Sequence, residues 1–154
     1  MNIRLQLLGY RLHIGLTRLG EVTGVNSKVE EDGHFLMWDF DDVNFEVVGE
    51  ELREAQRAFD LSTIYVLNTG IVNYYHAYCF TKVNWITART IIASTPHVDK
   101  VFLAMGLMRG YFTLRFSAKR GRKLLWAATL ISQTPETVNP ESVKSFVKYM
   151  TKWQ

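Results

Sequence analysis

Apolar residues fall in short runs along this chain, and the spacing inside each run predicts an element. Ile3, Leu5 and Leu7 alternate with polar neighbours as a strand does, the pattern breaks at Gly9, and residues 10–16 predict a second strand. Residues 20–33 carry three glycines and many polar side chains, which reads as loop or irregular structure. HFLMWDF, residues 34–40, is a dense apolar run ending in acids, the signature of a buried strand with Asp39 and Asp41 at its carboxyl end. Strong helix formers at 50–59 set Leu52, Ala55 and Phe59 on one face and predict a helix. The β-branched stretch 62–68 predicts a strand, Asn68, Thr69 and Gly70 a turn, and YYHAYCF at 74–80 its hairpin partner.

Further along, Trp85, Ala88, Ile91 and Ile92 recur at helical spacing within 84–93, and Pro96 closes that helix. Residues 97–108 predict a short second helix or an irregular turn, and 111–117 and 123–131 predict strands. Pro140 at a helix start, with Val143, Phe146 and Met150 in periodic positions, predicts a C-terminal helix over 140–150. From residue 34 the order is therefore β–α–β–β–α–(α)–β–β–α. The 62–80 pair is joined too tightly for the crossover of a parallel sheet. The expected fold class is α+β, an RRM-like mixed or antiparallel sheet with helices packed on it.

Composition narrows this picture. A length of 154 residues, 47% of them hydrophobic and 21% charged, suits one domain over the whole chain with a sizeable core. No apolar run is long enough to span a membrane, and the first sixteen residues are interrupted by Arg4, Gln6, Arg11 and His13, unlike a signal peptide. An intracellular, cytoplasmic protein with no membrane partner is expected. Cys79 is the one cysteine, so it forms no internal disulfide, and its apolar setting reads as that of a buried small hydrophobe. The net charge of +3 conceals an uneven distribution: most acids lie between residues 28 and 60, whereas Arg109, Arg115, Lys119, Arg120, Arg122 and Lys123 form a basic run. An acidic patch for a metal beside a basic patch for phosphate has this pattern, as do many proteins with neither.

Candidate chemistry begins with Asp39 and Asp41. At i and i+2 on a strand their side chains share a face, and hard oxygen donors at that spacing suit Mg²⁺ or Mn²⁺. The pattern also occurs in glycosyltransferases, in phosphatases with an aspartyl nucleophile, and in exposed turns. His76, among aromatic neighbours, is either a satisfied core histidine or a donor to a phosphate oxygen. His34 and His97 have no functional context. Asp99, just past the helix stop, is a natural first-turn residue stabilised by the helix dipole, or else a third carboxylate for a metal. Arg115, mid-strand, faces solvent or turns a planar guanidinium toward phosphate. Residues 118–123, AKRGRK, form a solvated turn between strands or a contact to nucleic-acid backbone.

The order of these residues resembles that of the archaeo-eukaryotic primase superfamily: D-h-D on an apolar strand (Asp39-Phe40-Asp41), a histidine strand after a helix (His76), an h-D motif (Val98-Asp99) and a later strand bearing an arginine (Leu114-Arg115). The resemblance covers roughly residues 34–123. It implies a primase-polymerase core with two divalent ions held by Asp39, Asp41 and Asp99 as catalytic metal ligands. The shortness of the chain suits a minimal core of viral or plasmid type, a subunit of a larger machine, or a relative that binds without catalysing. By the same resemblance His76 and Arg115, with Lys119, contact a nucleoside triphosphate. Arg120, Arg122 and Lys123 are assigned to nucleic acid on charge alone. The family's small hydroxyl residue two before the histidine is Tyr74 in this chain, and no cysteine cluster offers a zinc element. The function expected is divalent-metal-dependent synthesis of a primer or short strand from nucleoside triphosphates on a single-stranded DNA template, in the company of a helicase or other replication proteins. The alternative is a non-catalytic module that binds single-stranded nucleic acid through Tyr74, Tyr78 and Tyr111 and the 119–123 basic run. A metal-dependent phosphatase with Asp39 as nucleophile lacks a following Ser or Thr and a lysine motif.

Overall fold

The computed structural model describes the backbone of residues 2–7, 10–15, 18–29, 32–139, 143 and 146–153, and the side chains of 20–29, 32–139, 143 and 146–148. Along the described chain come strands β1 (Asn2–Leu7), β2 (Tyr10–Gly15), β3 (Arg18–Asn26), β4 (Lys28–Val29) and β5 (Gly33–Asp41), then helix α1 (Phe45–Ala58). Strands β6 (Ile64–Asn68) and β7 (Tyr74–Asn84) precede helices α2 (Trp85–Ser94) and α3 (Lys100–Arg109), and β8 (Thr113–Arg115), β9 (Leu125–Leu130) and β10 (Phe146–Trp153) follow. The strands form a hairpin of β1 and β2, a three-stranded sheet ordered β10-β3-β8, and a five-stranded sheet ordered β4-β5-β7-β6-β9. Every pairing is antiparallel. The fold is α+β, and the tightly joined β6–β7 pair is antiparallel as its short connection requires.

The register of the large sheet decides which side chains meet. Asp39 pairs with His76 and Asp41 with Tyr74 across β5 and β7, while Leu67 pairs with His76 across β6 and β7. One face therefore carries Met37, Asp39 and Asp41 with Tyr74, His76, Tyr78, Tyr65 and Leu67. The other carries Trp38, Phe40, Ala77, Cys79, Ile64 and Val66, all wholly or almost wholly buried. Helices α1 and α2 pack on this second face. The Trp38 indole donates to Thr95 Oγ1 at the end of α2 at 3.0 Å, and Gln56 of α1 donates to the Leu130 carbonyl at 2.8 Å and the Ser62 carbonyl at 3.0 Å. Cys79 is an unoxidised thiol in that core, against the Ser62 hydroxyl.

Local chemistry sets the helix starts. Asn44 caps α1 by accepting from Glu46 N at 2.8 Å, so the helix begins before the strong formers at 50–59. Asn84 caps α2 through Thr87 N at 2.9 Å, and Asp99 caps α3 through Phe102 N at 2.6 Å. Residues 97–108, expected as a short helix or turn, hold α3, which stops at Gly110 with φ +76°.

Two segments differ from expectation. Residues 20–33, expected as loop, contain most of β3, with β4 and the start of β5. Val22, Val25 and Ser27 are buried there, and Ser27 ties the sheets together by donating its N–H to the Phe112 carbonyl at 2.9 Å and accepting from Phe35 N at 2.9 Å. The expected C-terminal helix over 140–150 is instead β10 from Phe146 onward, paired along its length with β3; residues 140–142, 144 and 145 lie outside the described residues. Its aromatic and β-branched residues fit an extended strand, and a partner more than 100 positions away in sequence decides the outcome. No helix among the described residues is long and apolar enough to cross a membrane.

Candidate nucleotide and metal cleft

The sheet face opposite α1 and α2 opens into a cleft of about 250 Å³ lined by Asp39, Asp41, His76, Arg115 and Lys119, together with Thr69, Ile71, Tyr74, Thr113, Leu114, Arg120 and Arg122. Three adjacent strands build its floor in two rows, Leu67–His76–Asp39 and, one step along, Tyr74–Asp41. Thr69 continues β6 into the second row, donating its N–H to the Tyr74 carbonyl at 2.9 Å.

The carboxylates are held against their own charge. Burial first, then the negative charges of Asp41 and Asp99, push the Asp39 pKa up to about 7. Burial and Asp99 raise that of Asp41 as well. Asp39 Oδ1 is buried with no hydrogen-bond partner among the described residues. The nearest base, His76 Nε2, stands 3.5 Å away, too long for a good hydrogen bond. Burial, and then the Arg115 guanidinium, lower the His76 pKa to about 3, so at neutral pH the imidazole is uncharged, with one N–H to donate.

Arg115 is buried rather than facing solvent. Its guanidinium donates to the carbonyls of Thr69 at 3.1 Å, Ser117 at 2.9 Å and Arg122 at 3.3 Å, which clasps two turns around the cleft. One is the β6–β7 turn. The other reverses the chain at Arg120 and Gly121, whose φ values of 55° and 75° give the positive pair that a type I′ turn requires. Lys119 and Arg122 close it with reciprocal backbone bonds of 3.0 Å. Burial and then the neighbouring Arg120 and Arg115 lower the Lys119 pKa.

Gly70 locks the two turns together. Its φ is +83°, and a Cβ there would stand 2.9 Å from Arg122 Cβ and 3.1 Å from the Lys123 carbonyl. Gly70→Ala is therefore expected to destabilise the chain by about 2 kcal/mol, combining left-handed strain with the collision. A thermal melt would show a fall of about 4–8 °C; an unchanged melting temperature would mean that the turns are not in contact.

The remaining expected site residues divide. Asp99 does not line the cleft. One of its oxygens caps α3, and its N–H donates to the Asp39 carbonyl at 2.8 Å. Among the described residues no group of three His, Cys, Asp or Glu side chains is arranged to hold a metal ion. Asp99 acts on the cleft through its charge, as the raised Asp39 and Asp41 pKa values register. Arg120 and Arg122 line the cleft, whereas Lys123 is exposed beyond it. Of the aromatics expected to form an open stacking surface, Tyr78 is buried, with its hydroxyl donating to the Arg115 carbonyl at 3.2 Å, and Tyr74 and Tyr111 are half-buried. His34 bonds Ser27 and His97 bonds Glu51, both outside the cleft.

Thr69 and Thr113 were missed as cleft residues. Thr69 had a signal, because Tyr65, Leu67 and Thr69 carry the strand alternation into the turn. Comparison with protein-family models, with curated protein sequences and with solved structures finds no match.

Proposed function

We propose that the chain is a primase-like nucleotidyltransferase, joining nucleoside triphosphates into a primer or short strand on a single-stranded DNA template. One observation carries this reading: two carboxylates, a neutral histidine and a buried arginine, spread over residues 39–115, share one cleft on the face of an antiparallel sheet turned away from α1 and α2. That order and placement support the primase-polymerase resemblance.

Asp39 and Asp41 are the metal-holding pair in this proposal. Their oxygen donors suit Mg²⁺ or Mn²⁺, and the buried Asp39 Oδ1 without a partner is the kind of atom a cation satisfies. A bound ion would supply charge neutralisation at the triphosphate and at the attacking 3′-hydroxyl. Asp99 adds negative charge from the α3 cap. His76, uncharged, donates to a phosphate oxygen, and Arg115, fixed by backbone carbonyls, sets positive charge beside it without reorganising. Lys119, Arg120 and Arg122 at the rim draw polyphosphate or template strand toward the floor.

The test incubates the full chain with circular single-stranded DNA, Mn²⁺ and labelled nucleotides, ribo- and deoxyribo- in parallel. Labelled oligonucleotides that require both template and Mn²⁺ are the expected product. No synthesis together with no nucleotide binding would end the proposal.

A second reading, a single-strand-binding module without catalysis, is favoured by an apolar groove next to the cleft. Tyr65, Phe80, Phe116, Trp126 and Phe146 line it, and Trp126 is 63% exposed. Rings so placed can stack on bases. The same incubation separates the two, because this reading expects salt-sensitive DNA binding without synthesis.

A further inference from the structure

Thr69 occupies an unusual position in the cleft. It is only 6% exposed, it lines the cleft beside Tyr74 and Arg115, and its hydroxyl oxygen has no hydrogen-bond partner among the described residues. Buried hydroxyls are nearly always satisfied by protein or water, because the bonds lost on leaving bulk solvent must be replaced. The backbone around this hydroxyl is fixed at each end. Thr69 N–H bonds the Tyr74 carbonyl at 2.9 Å, the Thr69 carbonyl accepts from Arg115 at 3.1 Å, and Gly70 N–H bonds Asn68 Oδ1 at 2.8 Å.

We propose that Thr69 is a ligand-binding residue whose hydroxyl donates to a phosphoryl oxygen of a polyphosphate held in the cleft; this rests on the nucleotidyltransferase reading above. The charge around it selects an anion. Arg115, which bonds the Thr69 carbonyl, lines the cleft with Lys119 and Arg122, and a phosphoryl oxygen accepts from a hydroxyl and a cation together. Position excludes a metal role. In the sheet, β7 lies between β5 and β6. Two inter-strand spacings, about 9.5 Å, therefore separate Thr69 from Asp41, several times the length of a bond to Mg²⁺. The acids lie on the β5 side of the floor, and Thr69 meets the phosphate on the β6 side.

Calorimetric titration of the full chain with ATP and with inorganic tripolyphosphate, each with Mn²⁺, tests the assignment. Thr69→Val keeps the shape and removes the hydroxyl, so it is expected to bind both probes about tenfold or more weakly. Thr69→Ser restores binding to within about threefold of the parent. Because no protein partner is lost, the melting temperature of ligand-free Thr69→Val stays the same or rises. The Lys119→Ala, Arg122→Ala variant serves as reference for loss of cleft charge. If Thr69→Val binds like the parent while that reference binds weakly, the Thr69 assignment is overturned and the cleft reading stands. A lowered melting temperature for ligand-free Thr69→Val overturns it too, since the hydroxyl would then serve the fold. If the parent binds neither probe, the nucleotidyltransferase reading fails and the assignment goes with it.

Discussion

Strand synthesis is expected to fall by roughly a thousandfold or more in the Asp39→Ala, Asp41→Ala variant, to background in a gel assay with Mn²⁺. These are the two carboxylates that line the cleft, and phosphoryl transfer depends on positioning and charge rather than on covalent help from the protein. The fold is expected to survive. Trp38 and Phe40, the buried neighbours of the two acids on β5, point to the helix side, whereas Asp41 is exposed and Asp39 half-buried on the cleft side. Circular dichroism matching the parent, together with lost synthesis, is the expected pair of results. Synthesis retained by a folded variant would remove the acids from the mechanism.

Asp39→Asn is expected to raise stability at alkaline pH, although it alters a side chain that lines the cleft. Folded Asp39 titrates near 7 against an ordinary value of 3.8. Between these values the folded chain holds a proton that the unfolded chain has released, so folding loses ground as pH rises from about 4 through 7. The shift sets a ceiling of about 4 kcal/mol on the cost above pH 7, and partial solvent access brings the expected gain to about 1–3 kcal/mol. In chelator-containing buffer the variant should melt about 3–10 °C above the parent at pH 8 and level with it at pH 4. His76 works the other way: lowered from 6.5 to about 3, it favours the folded state increasingly as pH rises between those values. Both proteins carry His76, so comparing them at each pH removes its direct contribution. Equal melting temperatures at pH 8 would show that Asp39 is solvated or partnered. Adding Mn²⁺ at pH 8 should stabilise the parent and leave the variant behind, since a cation bound only by the folded state stabilises it by mass action.

The sequence made the local elements legible and left the distant ones hidden. The strand through Trp38, the helix at Leu52, the hairpin around Asn68 and Gly70 and the helices after Asn84 and Asp99 are each determined within a window of about a dozen residues by period, cap or turn chemistry. β3 and β10 are determined by each other. Gly20 and Gly24 weaken the strand signal of the first, Phe146 and Met150 fit a helical period in the second, and only their pairing across the length of the chain makes both strands. The cleft followed the same division. Asp39 and Asp41 were readable because strand alternation places them on one face, whereas His76 joins them through the register of β5 and β7. Arg115 was named from the order of the motifs, but its burial was not readable, because that depends on carbonyls supplied by two separate turns. Asp99 was legible both as a helix cap and as an acid, and it fills the first role directly while exerting its charge on the cleft.

The placement of α1 and α2 on the side of the sheet away from the cleft has a practical consequence for handling this protein. Arg53, Glu54 and Arg57 are exposed on α1, so the outward side of that helix is remote from every side chain assigned to the cleft. A fluorophore, a surface tether or a fused protein attached there leaves the cleft open to solution, whereas the same attachment on the turn around Gly121 would obstruct the rim.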